Sequence, residues 1–252
     1  MSFLSGITNF FTSNSIVSSI VKVVGLGLVV NAVSKSVNKG NNTGNDTANI
    51  DAGVRLQIPP AAENKIPVLY GTAFFGGIIT DAVMTNTNKT MYYCLTLSEK
   101  TGNKLSNGQP SDYVFKDVYW NKGRIVFQPD GITASYTVDP SGNVDRSIAN
   151  QVKVYCYKGN SATPATIQNY TATNTTKAYD IVPGWTSSTH VMSDLLFAVV
   201  KVDYNRDMNI TGIGDMLFEV QNSMYLPGDC LYDYMTNVRY GAAIDPADIN
   251  SQ

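Results

Sequence analysis

The stretch that narrows the choice of fold most is LLFAVVKVDY, residues 195–204. It is apolar without a break at its start and then alternates, with Val200, Val202 and Tyr204 set against Lys201 and Asp203. A period of two is the signature of a β-strand, because successive side chains leave opposite faces of the pleat. A strand needs neighbours for its backbone donors and acceptors. The chain supplies them at 54–58, 66–80, 91–97, 113–120, 124–127, 133–138, 151–157 and 216–220, with turn chemistry between the runs. The run at 66–80 is expected to kink at Gly71 and at Gly76-Gly77. The run at 91–97 alternates less cleanly, which suits burial on both faces. Asn121-Lys122-Gly123 reads as a hairpin turn with the glycine at positive φ, and Pro140-Ser-Gly142 as a second turn. Residues 161–176, rich in Thr, Asn and Ala, read as loop.

The expected fold is therefore β-rich α+β: mixed and antiparallel sheets, one short C-terminal helix and an apolar N-terminal arm. A chain of 252 residues suffices for one large or two small domains. With 15% charged residues and a net charge of −2, it is unsuited to gripping a nucleic-acid backbone, and no nucleic-acid specificity is expected. Cys94, Cys156 and Cys230 form no close pair and no CxxC, so neither a disulfide framework nor a zinc site follows. They are expected to serve as small buried hydrophobes.

Residues 1–33 form the arm. Phe3, Leu4, Phe10 and Phe11 precede an apolar run at 16–33 that includes Ile16, Val17, Ile20 and Val23 and is interrupted by Lys22. The run nearly reaches membrane-spanning length, but Lys22 falls inside it and no basic flank orients it. A secretory signal would carry a basic segment ahead of its apolar run, and this one does not. The arm is expected to be buried in an assembly, with these eight residues as candidate interface positions. The alternative is a membrane-active segment, residues 3–33, that meets a host membrane. Residues 34–53 are polar and rich in Gly and Asn, which reads as a linker. The β-rich domain then covers 54–252.

Near the C-terminus, Leu231, Tyr234, Met235 and Val238 recur at helical spacing and predict one buried helix face. Asp229 is the expected N-cap, Arg239 the cation of the last turn, and Gly241 the left-handed closing residue. Asp245-Pro246, with Asp248 following, reads as the cap and start of a further helix. Arg239 and Tyr240 are candidate interface residues, with a plain helix end as the alternative for Arg239. Trp120 is expected in the core and Trp185 as a loop anchor or interface hot spot.

Chemical motifs are sparse. His190 is the single histidine, so no HExxH helix and no His-rich zinc site can form. A triad would have to pair His190 with Asp194, without a Gly-x-Ser-x-Gly elbow. The body carboxylates are scattered, and Gly212-Ile-Gly214 is no phosphate loop. No catalytic, cofactor-binding or metal-binding residue is assigned, and the protein is not expected to be an enzyme. A tail-associated wall hydrolase is the least favoured alternative.

A family resemblance enters at these residues. Leu231-Tyr-Asp-Tyr-Met-Thr-Asn-Val-Arg-Tyr-Gly241, then Ile244-Asp245, resembles the L-x-D-x-L-T-x-x-R-Y-G-x-G helix and turn of bacteriophage tail hub proteins, the tip attachment protein J-like family. Ile66-Pro-Val-Leu-Tyr-Gly71 with Gly76-Gly77 is similar to the I-P-V-x-Y-G-x-x-x-x-G-G opening of that family. Residues 91–98 with 115–123 are similar to its Y-x-x-x-x-L-x-E-G…I-x-D-I-W-x-x-G hairpin, although Ser98-Glu99 lacks the following glycine. Residues 195–204 and 212–222 resemble its A-x-V-x-V…G-x-x-x-x-V segment. The match is collinear over roughly 54–252. It implies a tail-tube-like hub domain and a structural virion protein at the distal end of a phage tail. The implied assembly is a homo-oligomeric ring, by resemblance a trimer, that joins the tail tube or distal tail protein to the tip or spike. Implied partners are the remaining hub, spike or fibre protein and the C-terminus of the tape measure. Family hub chains are usually longer, so either a separate chain is expected to supply the remaining hub domains or this chain is a truncated or specialised paralogue. Receptor recognition is not carried over.

Overall fold

The computed structural model describes residues 54–55, 64–172 and 174–249. The arm, the linker and the candidate positions Phe3, Leu4, Phe10, Phe11, Ile16, Val17, Ile20 and Val23 lie outside these residues, as does the strand expected at 56–58.

The domain is β-rich, with two sheets and few helices. The first sheet contains β1 (Val54–Arg55), β2 (Thr72–Phe75), β5 (Tyr113–Trp120), β6 (Gly123–Phe127), β7 (Ala134–Val138), β8 (Val144–Asp145) and β12 (Met216–Asn222). Its spatial order is β1-β2-β12-β5-β6-β7-β8, antiparallel apart from the parallel β1–β2 pair. The second contains β3 (Ile78–Thr85), β4 (Thr90–Glu99), β9 (Val152–Lys158), β10 (Pro164–Ala165) and β11 (Leu195–Asp203). Its order is β10-β9-β11-β4-β3, antiparallel throughout. Among the described residues there are two helices, α1 (Ala178–Ile181) and α2 (Pro227–Thr236), with a 3-10 turn at Pro246–Asp248.

The strand with the strongest pattern takes the middle of its sheet. β11 lies between β9 and β4, and its alternate residues serve two different cores. Leu196, Ala198, Val200 and Val202 join the main cluster, which draws on both sheets through Leu95, Leu97, Phe115, Val118, Phe218 and others. Phe197 and Val199 point the other way, into a smaller cluster with Cys94, Tyr157, Ala178, Val182 and Trp185. Each fully buried large apolar side chain stabilises the fold by roughly 1.5–3 kcal/mol. β4 is buried along almost its whole length, as its imperfect alternation suggests. Cys94 and Cys156 are buried and free, and Cys230 is half-buried. Burial alone pushes the Cys156 thiol up, and burial pushes Cys94 up to about 12 against the opposing hydrogen bond of Thr80.

Two expectations about glycine are corrected in detail. The run at 66–80 is not one kinked strand. Gly76 and Gly77 carry the chain from β2 in the first sheet to β3 in the second, and Gly77 has φ +79 with Leu97 packed where a Cβ would stand. In the β5–β6 hairpin the positive φ angles belong to Asn121 (47) and Lys122 (71), the two residues of the turn. Gly123 is already in β6, where a Cβ would meet Thr137 at 2.8 Å. The glycine there is a packing requirement rather than a conformational one. The segment at 161–176 also contributes more than loop, because Pro164–Ala165 pairs with β9 as β10.

Candidate interaction surface on the C-terminal helix

α2 docks on the body with the face opposite to the one its sequence predicts. Leu231, Tyr234 and Val238 are 60%, 52% and 85% exposed, while Asp233 is fully buried. The helix starts at Pro227 with Leu226 at the cap and ends at Thr236, so Asp229 sits in the first turn and Arg239 lies beyond the helix. Gly241 does not take the left-handed conformation expected of it. It is required for another reason: a Cβ there would run into the carbonyl oxygens of Tyr234 and Asn237.

The inward face is a polar stripe at Asp229, Asp233 and Thr236, continued by Tyr240 in the turn that follows, and it is set over the segment that follows β4. Asp229 accepts from the amide and hydroxyl of Ser106 (3.1 and 3.3 Å). Thr236 Oγ1 accepts from Asn103 Nδ2 at 2.8 Å and donates to the Tyr232 carbonyl. Asp233 is the centre of the contact. Its Oδ1 accepts from the amide and the Nδ2 of Asn103 (2.9 and 3.0 Å). Its Oδ2 accepts from the phenols of Tyr70 (2.8 Å) and Tyr240 (2.5 Å). Every partner donates, which is the environment an ionised carboxylate requires when no cation accompanies it into the interior. Burial first, and then the bond to Asp233, push the Tyr70 and Tyr240 phenols well above their ordinary value. The Tyr240 oxygen also accepts from the amide of Gly102 at 3.0 Å.

Arg239 fixes the chain after the helix. Its Nε lies 2.8 Å from Glu99 Oε2 in an ion pair. Its Nη1 and Nη2 reach Asp194 Oδ2 (3.4 Å) and the Ser193 carbonyl (3.3 Å). Burial raises the Glu99 carboxyl above the usual range, and the Arg239 charge draws it part of the way back. Beneath this lies a buried polar knot. Asn222, fully buried at the end of β12, donates to the Leu69 carbonyl (2.7 Å) and accepts from the Met224 amide (2.9 Å). Tyr113 Oη accepts from the Thr101 amide at 2.7 Å beside it. Asp245 caps the 3-10 turn through the Ala247 amide, as its sequence predicts.

The outward face is apolar. Tyr225, Leu226, Leu231, Tyr232, Tyr234 and Val238 are all exposed, whereas the other exposed large apolar residues are scattered over several segments. A concentrated patch of this kind marks a contact site more often than bare surface does. The sheet edges offer less. β8 and β10 are two residues long, and β3 carries a bulge between Ile79 and Asp81 that spoils it as a template.

The other sequence candidates fall elsewhere. Trp185 is 8% exposed, donates to Asp81 Oδ2 at 2.5 Å and stacks on His190 at 5.0 Å between ring centres. His190 Nδ1 is engaged by the Thr186 amide and the Thr189 hydroxyl, while Asp194 turns to Arg239, so the two do not form the arrangement a triad needs. Trp120 is in the core, at 5% exposure. Among the described residues no cluster of His, Cys, Asp and Glu is suited to a metal ion, and no helix is long and apolar enough to cross a membrane. Asp233, Asn103 and Tyr70 were not singled out from sequence. The signal for Asp233 was present, since Asp229, Asp233, Thr236 and Tyr240 share one helical stripe. No family model matches this chain, and no curated protein matches it.

Proposed function

We propose that the protein is a structural subunit of a bacteriophage tail tip, part of the hub ring that joins the tube or distal tail protein to the tip or spike. The observation that carries this reading concerns the residues on which the resemblance rests. Asp233, Thr236, Arg239, Tyr240 and Gly241 of the helix-and-turn pattern each contribute to fixing α2 on the body. Residues that fix the helix in this way make a rigid platform, and the platform presents an apolar face outward. A ring subunit needs such a face, and neighbours would cover it. The tail-tube-like character of the body belongs to the same proposal, supported by the two antiparallel sheets and the order of the motifs.

Immunogold labelling of virions with an antibody to the purified chain tests the proposal, together with mass photometry of the chain. Label at the distal tail end and a closed oligomer, a trimer by resemblance, are expected. Label on the capsid, or on no particle, would overturn it.

A further inference from the structure

The first sheet carries a second apolar surface, on its side away from the core. Phe218, Trp120, Ile125 and Phe127 point into the main cluster. Leu217, Tyr119, Val126 and Tyr136 therefore leave by the opposite face. Register brings them together, with Leu217 opposite Tyr119 and Val126 opposite Tyr136. On the flanks, Phe74 of β2 meets the Tyr119 ring edge-on at 5.8 Å between centres, and Val138 of β7 stands opposite Val144 of β8. Among the described residues, neither core cluster contains any of these outer side chains. An antiparallel sheet with one face in water ordinarily alternates apolar-in and polar-out. This sheet breaks the rule from β2 across to β8. The second sheet differs, because α1 and Trp185 pack over Phe197 and Val199 on its outer side.

Three further observations match this surface to the outward face of α2. The first is charge. Every exposed residue from Tyr225 to Val238 is uncharged. The strands of the sheet face set Lys116 and Arg124 against Asp117 and Glu219, two of each sign, with Asp117 and Arg124 paired at 3.6 Å; Arg146 lies over Tyr136 at the margin. The second is size. A helix of 10 residues is about 15 Å long, and six strands about 4.8 Å apart span about 24 Å. The third is symmetry. A ring contact joins two different surfaces of neighbouring copies, whereas a face that meets itself closes a two-fold dimer. α2 therefore needs a receiving surface other than its own face, and helix on sheet is an ordinary layer packing.

We propose that the outward face of α2 in one copy docks on the outer face of the first sheet in the next, with Leu231 and Tyr234 over Leu217, Tyr119 and Val126. The proposal rests on the ring reading above and names the receiving surface, which that reading leaves open.

The test uses the full-length chain carrying C230S and L231C, with a photoreactive benzophenone on residue 231, co-assembled from light and 15N-labelled copies. Cys94 and Cys156 are buried and escape the label. Crosslinks are expected from residue 231 to residues 113–127 or 216–222 of the other isotopic chain. Crosslinks to residues 225–238 of the other chain, or confined to any other surface, would overturn the proposal and leave a closed oligomer standing. Wild type that stays monomeric by mass photometry would overturn the ring reading and the proposal with it. The second arm is complementation. L231E and L217E, each with an unchanged urea midpoint, should each lose the closed oligomer, with association weakened about 30-fold or more. V126E takes the place of L217E if the midpoint of the latter falls. Mixed one to one, the helix-face and sheet-face variants should form a dimer, because one partner keeps its helix face and the other its sheet face. A mixture that stays monomeric would overturn the proposal.

Discussion

Tyr240 Oη lies 2.5 Å from Asp233 Oδ2, across the end of the helix that carries Asp233. The phenol belongs to the turn and the carboxylate to the helix. Their bond ties the first irregular residues after α2 back onto its buried face, and Tyr70 ties the same oxygen to the segment entering β2. α2 is thus docked by hydrogen bonds to one fully buried anion, with its apolar side chains turned out.

Removing either phenol's hydroxyl should therefore be felt in stability. Tyr240→Phe and Tyr70→Phe should each lower unfolding free energy by about 1.5 kcal/mol, the low end for bonds to a charged group, since both rings are half-buried. Asp233→Ala should cost more than either, roughly 3 kcal/mol, because it strands several donors at once. Urea midpoints at constant slope measure all three. A double cycle of the two phenylalanine variants should show coupling, because the phenols share one acceptor.

The same phenols set a response to alkali. Their folded-state values lie above the ordinary 10.0. The folded state therefore holds these protons more tightly than the unfolded chain. That stabilisation is complete below pH 10.0 and is lost as pH rises toward the raised folded values. Absorbance at 295 nm should show exposed tyrosines titrating first. Tyr70 and Tyr240 should ionise only with loss of helix packing, and the double phenylalanine variant should lose this late step.

How much of this was legible in the sequence depends on where the partner of each element lies. β11 and β4 were readable because a two-sided core leaves its mark on the strand itself, as unbroken runs of apolar residues. The α2 orientation was not. A helix with Leu231, Tyr234 and Val238 in register is ordinarily taken to bury them, and the rule failed because the surface beneath is polar. That surface, Asn103 and Ser106, lies more than a hundred residues away in sequence, and the only local trace of it is the polar spacing of Asp229, Asp233, Thr236 and Tyr240. The glycine pattern located Gly77 and Gly123 correctly, but only the packing of Leu97 and Thr137 shows that the second is a matter of space.

Glycine replacements should separate these causes. Gly241→Ala should destabilise by about 3 kcal/mol or more, because the methyl group meets backbone oxygens that cannot move without opening the turn. Gly77→Ala combines a positive φ with a close neighbour and should also exceed 2 kcal/mol, roughly. Gly142→Ala, at φ +85 with open space around it, should cost only about 1 kcal/mol, from backbone strain alone. Thermal or urea unfolding of the three gives the ranking.

Arg239→Lys should be a mild change in free energy and a clear one in geometry. The guanidinium is 43% exposed, so its ion pair with Glu99 is partly screened, and a loss of about 0.5–1 kcal/mol is expected. A lysine cannot span Glu99, Asp194 and the Ser193 carbonyl together. Amide exchange should therefore quicken at residues 237–244 while the β11 core keeps its protection.

Asn222 gives the sharpest test of the buried knot. Its Nδ2 donates to the Leu69 carbonyl and its Oδ1 accepts from the Met224 amide, a pairing that needs a donor and an acceptor on one side chain. Asn222→Asp keeps the shape and removes the donor, so an ionised carboxylate would face the Leu69 carbonyl in a site closed to water. Its folded-state pKa must rise above the unfolded value of about 3.9. Stability of this variant should then be greatest in acid, where the protonated carboxyl again donates, and should fall as pH rises through the folded value. The wild type carries no such contribution from this position. At neutral pH the order should be wild type above Asn222→Ala above Asn222→Asp, with the alanine variant about 2–3 kcal/mol below wild type. Urea midpoints between pH 4 and 8 would decide it, with the gap between the aspartate and alanine variants closing as the pH falls.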